Sequence, residues 1–308
     1  MIGRAIKIWQ VALAVFLIFP GCQRESATTD AQYLQSIEKW HQQRIERLRR
    51  NDSWLTLAGL FWLHPGTNSF GSAPDNSIRF PAGKADDHIG VFTLSDSVVS
   101  VNIFPGVQVL DETGQPVQKL TLQDDFRGHP TILRHRSLLF YVIKRGKRFA
   151  IRLKDTEHPN LKHFAGIERF PVDPRWRVRA VLKPFTTPRT VAVPTVLGTV
   201  VEEPAPGFLE FQIAGETYRL LPLGKPGDTE YFIIFGDATN GKETYGAGRF
   251  LDVPAPDSTG VTYIDFNKAY NPPCAFTPYA TCPLPPEENY LPIRVTAGEK
   301  NYRGLHTH

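Results

Sequence analysis

The sequence predicts a mainly β protein, an antiparallel barrel or sandwich with one amphipathic helix packed on it near the N-terminus. Three observations carry this expectation. Apolar and polar residues alternate through much of the chain after residue 60. The alternating runs are separated by short turn signals rich in Gly, Asn and Asp. No strand–helix alternation of the kind that builds a parallel sheet follows residue 60.

The helix is read first. Between Ala31 and Arg50, the residues Leu34, Ile37, His41, Ile45 and Leu48 recur at helical spacing, with Trp40 beside them. Asp30 is placed to cap its start, and Asn51-Asp52 ends it. The stripe predicts Leu34 and Ile37 packed, with Glu38 and Arg49 in solvent. The apolar segment NDSWLTLAGLFWLHPG then plugs a core.

The strands come next. VFTLSDSVVSVNIF alternates nearly throughout. LLFYVIKRGKRFAIRLKD reads as a hairpin turning near Arg145-Gly146, and FLEFQIAGETYRLLPL as another turning at Ala214-Gly215. YFIIFGDATNGKETYGAGRFL reads as a third, with Asn240-Gly241 in the position favoured by type I′ turns. VTYIDFN and LPIRVTAG supply two more strands. FPVDPRWRVRAVLKPFTTPR, rich in Pro and Arg, suggests a crossover between two β lobes meeting near 170–195.

The chain opens MIGRAIKIWQVALAVFLIFPGC. Arg4 and Lys7 precede an apolar run too short to span a bilayer, followed by small residues and Cys22, which is a secretory layout. Phe19-Pro20-Gly21-Cys22 resembles the bacterial lipobox, in which the cysteine is acylated and becomes the mature N-terminus. The expected organisation is a signal peptide at 1–21, a polar tether at 22–30, a mainly β domain at 31–302 and a tail at 303–308. The mature chain would be 308 − 21 = 287 residues, enough for one large or two small domains. Gln23 after the cysteine resembles the outer-membrane sorting pattern. The expected location is therefore the cell envelope, lipid-anchored at the periplasmic face of the outer membrane.

Removing Arg4 and Lys7 leaves 33 basic against 31 acidic residues, from 35 and 31 in the whole chain. That balance, with no long basic stripe, argues against nucleic acid as a partner. G-x-S-x-G, H-E-x-x-H, C-x-x-C and P-loop motifs are all missing. Gly246-Ala247-Gly248 precedes Arg-Phe-Leu-Asp and then Pro254, so the helix a dinucleotide loop requires does not follow. Asp155, Glu157, His158 and His163 share one loop, which reads as a solvated polar loop sooner than a metal site, and no metal or cofactor is assigned.

The last third of the chain concentrates polar residues beside unusual backbone. DATNGKETYGAGRFLD is followed by YIDFNKAYNPPCAFTPYATCPLPPEENYLPIRVTAGEKNY. With WLTLAGLFWL, IRLKD and FPVDPRWRV upstream, these segments resemble the domain-of-unknown-function 1684 family of bacteria and archaea. The family is uncharacterised, so the resemblance implies a shared fold and no activity. It implies importance for Asp237, Thr239, Tyr245, Arg249, Asp265, Asn267, Tyr270, Asn271, Cys274, Cys282, Asn289, Glu299 and Lys300.

On a strand YIDFN, Asp265 and Asn267 lie two apart and share a face, with Ile264 and Phe266 on the other. A buried Asp265 needs a partner, for which Arg249 is the candidate. Such residues either hold loop backbone in place or contact a ligand. The cysteines of NPPCAFTPYATCPLPP carry three readings. Export favours a disulfide, whose loop closure would contribute about 2.5 kcal/mol. Family members without export signals resemble this chain at the cysteines, which favours reduced thiols lining a pocket. A metal would need two further ligands.

The expected function is a lipid-anchored envelope protein presenting a small-ligand pocket built from 237–300, with Asp237, Arg249, Asp265, Asn267, Asn271, Glu299 and Lys300 as candidate contacts. The alternative is an envelope hydrolase or transferase using Asp265 or Glu299 as general base, with Arg249 or Lys300 as electrostatic stabiliser.

Overall fold

The computed structural model describes residues 22–304, so the signal sequence expected at 1–21 and the last four residues lie outside the described residues. A helix, α1 (Cys22–Leu48), leads into a first set of strands: β1 (Leu57–Trp62), β2 (Gly66–Gly71), β3 (Ile78–Arg79), β4 (Gly90–Ser95), β5 (Val98–Ile103), β6 (Lys119–Leu122), β7 (Leu133–His135), β8 (Leu138–Arg145) and β9 (Arg148–Asp155). A short helix, α2 (Pro159–His163), leads to the second set. That set is β10 (Arg177–Pro194), β11 (Val200–Ile213), β12 (Glu216–Leu220), β13 (Glu230–Asp237), β14 (Arg249–Pro254), β15 (Val261–Asp265) and β16 (Tyr290–Leu291).

The strands form four open sheets, in the orders β1-β9-β8-β7, β3-β2-β4-β5-β6, β12-β11-β10-β15 and β14-β13-β16. The first two face each other across a core in which Phe70 stacks on Phe92 at 4.2 Å while Phe140 meets both of them, and Phe80, edge-on. The other two enclose Leu209, Phe211, Ile233, Phe235, Leu251, Ile264 and Phe266. Neither pair closes into a barrel. Two smaller apolar clusters join the parts. Leu57 of β1 packs with Val193, Ile234 and Phe250. Ile45 and Leu48 of α1 pack with Leu55, Phe164 and Phe276.

The turns near Arg145-Gly146 and at Ala214-Gly215 are where the sequence places them, and a further one links β4 to β5. Asp96-Ser97 joins β4 to β5 with φ 47° and 66°, and Ala214-Gly215 joins β11 to β12 with φ 52° and 87°. Two successive positive φ values match the right-handed twist of the flanking strands. Gly146, with φ 60°, begins the β8–β9 turn.

Four elements differ from expectation. The β13–β14 connection is a loop over 238–248, in which Gly241 N–H bonds Thr244 O within the loop and does not turn a hairpin. The Pro- and Arg-rich stretch is no crossover: it forms the long strand β10, which pairs with both β11 and β15. The expected strand LPIRVTAG is reduced to β16, because the carbonyls of Val295, Ala297 and Glu299 turn to a buried guanidinium and not to a neighbouring strand. Finally, α1 starts upstream of Ala31, since nothing between Cys22 and Asp30 is Pro or Gly to stop it.

The buried stripe of α1 is also shifted. Ile37, His41, Arg44, Ile45 and Leu48 are buried, and Leu34 is 42 % exposed. Tyr33 turns inward in its place, drawn by a hydrogen bond to Asp265. Leu34→Ser is therefore expected to change stability by no more than about 0.5 kcal/mol. The conservative Ile37→Val should cost about 0.5–1.5 kcal/mol. Chemical denaturation of the two variants checks this, and a larger loss from Leu34→Ser would contradict the placement.

Candidate functional site

Most of the polar residues singled out in the sequence gather in one region, but as two buried ion pairs and their attached backbone. Arg249, at the start of β14, is wholly buried. It donates to Asp237 Oδ2 at 2.8 Å and to the carbonyls of Val295, Ala297 and Glu299. Asp237 Oδ1 accepts the N–H groups of Thr239 and Val295. Arg249 does not meet Asp265, contrary to expectation, because the end of β13 presents the nearer carboxylate across the β13–β14 pair. Burial lowers the Arg249 pKa, and Asp237 opposes that effect.

The second pair joins the two ends of the chain. Glu299, 1 % exposed, accepts from Arg44 Nε at 3.1 Å and from the N–H of Asn271 at 2.7 Å. Arg44 also donates to Asn271 O and lies 4.7 Å from the centre of the Tyr270 ring. Asn271 Nδ2 donates to Lys300 O. Gly298 makes this geometry possible: its φ is 77°, and a Cβ there would stand 2.5 Å from Ala269 O. Lys300 donates its own N–H to Glu168 O, and its Nζ lies 5.0 Å from the Phe170 ring centre.

Asp265 and Asn267 do not share a strand face. β15 ends at Asp265, and Asn267 sits buried in the following 3-10 turn. Ile264 and Phe266 are buried as expected. Asp265 caps that turn and accepts from Tyr33 Oη at 2.8 Å. Burial, and then the Asp265 charge, push the Tyr33 pKa up. Asn267 clamps Asp173 through both its N–H and its carbonyl.

Cys274 and Cys282 sit side by side, with Cα atoms 6.2 Å apart, within the range a disulfide needs. The loop between them is tied to β8 and β9, since Thr281 Oγ1 accepts from Arg145 and Arg152. Asp155 and Glu157 hold Lys84, and His158 caps α2, so that polar loop is committed to structure. Among the described residues no three His, Cys, Asp or Glu side chains converge on a common centre.

Arg44, Tyr33 and His41 have parts that the sequence reading did not assign. The signal for Arg44 was present: it lies three residues after His41 and four before Leu48, on the buried face of α1. His41 forms part of the wall of a groove of about 730 Å³ lined also by Gln42, Arg49, Glu168, Asn301 and Arg303. His41 is 8 % exposed, and its Nδ1 is sealed from water with no hydrogen-bond partner. Behind it, Arg169 pairs with Glu38 through one terminal nitrogen, while the other is buried without a partner. A second cleft, about 570 Å³ and more apolar, lies between the two sets of strands, where Phe126 and Arg145 face Val193, Phe232 and Ile234. None of the candidate contacts Asp237, Arg249, Asp265, Asn267, Asn271, Glu299 and Lys300 lines either of these cavities.

Burial, followed by the charges of Arg169 and Arg44, lowers the His41 pKa below 6.5, against the opposing pull of Glu299 and Glu38. The folded protein thus resists protonation that the unfolded chain accepts. The contribution of His41 is present above the unfolded pKa and is lost as pH falls through the folded one. Stability is expected to decline below about pH 6.5, and His41→Gln should flatten part of that decline. Melting temperatures across pH 4.5–8 measure it, and an unchanged slope in the variant would count against the assignment.

Residues 162–300 match the family described as "Protein of unknown function (DUF1684)". The chain belongs to this family. Among solved structures, it is similar to an uncharacterized protein of Haloarcula marismortui. The two are 32 % identical over 45 % of this chain and 78 % of that one, with a TM-score of 0.38. The FhaA FHA domain, solved with the intracellular domain of Rv3910, is 15 % identical over 31 % of this chain and 97 % of that one, with a TM-score of 0.22. Mycobacterium tuberculosis EmbR, solved with a low affinity phosphopeptide, is 13 % identical over 43 % of this chain and 31 % of that one, at 0.21. Likenesses this loose carry nothing about function. No curated protein matches the chain.

Proposed function

We propose that this DUF1684 protein is a lipid-anchored binding module of the cell envelope, holding a small polar ligand in the groove beside α1. The observation that carries the reading is His41: a polar atom sealed in the wall of the larger of the two cavities without a partner. An unpaired buried polar group costs about 1–3 kcal/mol, and a ligand reaching the imidazole after a small ring rotation removes that cost. The groove's volume also falls within the range of small-molecule sites, roughly 300–1,000 Å³. Glu299 and the Asn271 carbonyl bond Arg44 and so hold α1 in place. Catalysis by Glu299 or Asp265 is disfavoured, because each carboxylate is committed to fixed donors and Glu299 is sealed from solvent.

Export and anchoring through Cys22 follow from the signal layout, as does a Cys274–Cys282 disulfide in an oxidising compartment. One measurement reads both. Intact mass of protein taken from the native envelope without reductant should show an acylated N-terminal cysteine and no alkylatable thiol at 274 or 282. An unlipidated mass refutes the anchor, and two alkylated thiols refute the bond.

The groove is tested by thermal shift of the soluble domain against metals, nucleotides, sugars and lipids. Gln42→Trp fills the groove from the exposed face of α1. A compound that stabilises the parent and not this variant supports the site. If every stabilising compound acts equally on both, or none acts, the site reading fails.

A further inference from the structure

The arginines near this groove differ in one respect. Arg44 is bonded to Glu299, Arg169 to Glu38 and Arg50 to Asp52. Arg49 and Arg303, which line the groove, form no ion pair among the described residues. Arg49 rests 5.8 Å from the Phe164 ring, which holds its planar guanidinium at the wall and leaves its N–H fork available. The one acid in the lining, Glu168, accepts the Lys300 N–H at its backbone carbonyl and forms no ion pair among the described residues. Gln42 and Asn301 add carboxamides, and Ile45, Ala165 and Ile167 supply the apolar part of the walls.

From this arrangement we infer that the groove takes a small hydroxylated organic anion. Arg49 and Arg303 bind its acidic oxygens, and Glu168 accepts from its hydroxyls. The inference rests on the groove being a ligand site and names the ligand's chemistry. Guanidinium groups suit it because two parallel N–H donors match the paired oxygens of a carboxylate or phosphate. His41, held neutral by burial and its arginine neighbours, serves as a donor or acceptor beside those oxygens. A neutral sugar would leave both guanidinium groups without a counter-charge.

The test uses the mature protein with glucose, gluconate, glucuronate and glucose 6-phosphate at one fixed ionic strength, followed by calorimetric titration and thermal shift. At least one of the anions is expected to bind saturably, with glucose at least tenfold weaker. The carboxylate and phosphate arms separate the two sources of acidic oxygen. Arg49→Gln should weaken anion binding by tenfold or more, Arg49→Lys by less. Arg175→Gln, at an exposed arginine paired with Asp173, should leave it unchanged. Glucose binding as tightly as the anions, with that binding lost in Gln42→Trp, overturns the anion class and leaves the ligand site standing. Anion binding that survives both Arg49→Gln and Arg303→Gln overturns the site assignment. No binding by any of the four overturns the anion class, while the wider screen decides the site itself.

Discussion

Arg249→Met is expected to lower the unfolding free energy by about 3–5 kcal/mol, the usual cost of breaking a buried ion pair from one side. The reason is what remains. Asp237 would keep its charge in a site closed to water, and three carbonyls of the 295–299 segment would lose their donor. That segment has no neighbouring strand to take their place, so the damage should spread to Glu299. A melting temperature lower by on the order of 10 °C is anticipated. Adding Asp237→Asn should restore part of the loss, since the residual charge is then removed while the bonds to Thr239 and Val295 can persist. An Arg249→Met protein melting within about 2 °C of the parent would show the pair to be dispensable.

Glu299→Ala should be comparably harmful and differ in kind. It strands the Arg44 guanidinium between Tyr270 and Phe276 and leaves the Asn271 N–H without an acceptor. A loss of about 3 kcal/mol or more is expected, concentrated on the seating of α1. Hydrogen exchange should report faster exchange of α1 amides with β4, β5, β8 and β9 still protected. Glu299→Gln keeps acceptor oxygens and should cost less, about 1–3 kcal/mol. Uniform acceleration across all four sheets would mean that Glu299 supports the whole fold and not this one junction.

Where the sequence was informative, the signal was local. The hairpin at 138–155 and the turn at Ala214-Gly215 are written in alternation and in residues that tolerate positive φ, and both occur. The burial of Ile264 and Phe266 follows from strand periodicity in the same way. Where it fell short, the deciding contact was distant. Sequence proximity pairs Arg249 with Asp265, and the choice of Asp237 depends on which carboxylate β-pairing brings beside it. Asn240-Gly241 has the right turn residues, but the polar network around Thr239 and Tyr245 commits them to a longer loop. Leu34 has helical spacing, yet Tyr33 wins the inner position because only it reaches Asp265. The groove was least legible, since α1 supplies one wall and the chain's last described residues supply another.

The bond between Arg44 and Glu299 spans 255 positions of sequence, and this fixes when it can form. A ribosome delivers Arg44 long before Glu299; at about 5–20 residues per second the interval is roughly 10–50 s. Throughout it, Ile45 and Leu48 have Leu55 and later Phe164 to pack on, but Arg44 has no partner. Contacts so far apart in sequence also tend to form late in refolding, because the chain must close its largest loop to make them. The hairpins can assemble in the meantime, but the polypeptide cannot finish until its C-terminal segment arrives. The first helix made is the last to be locked.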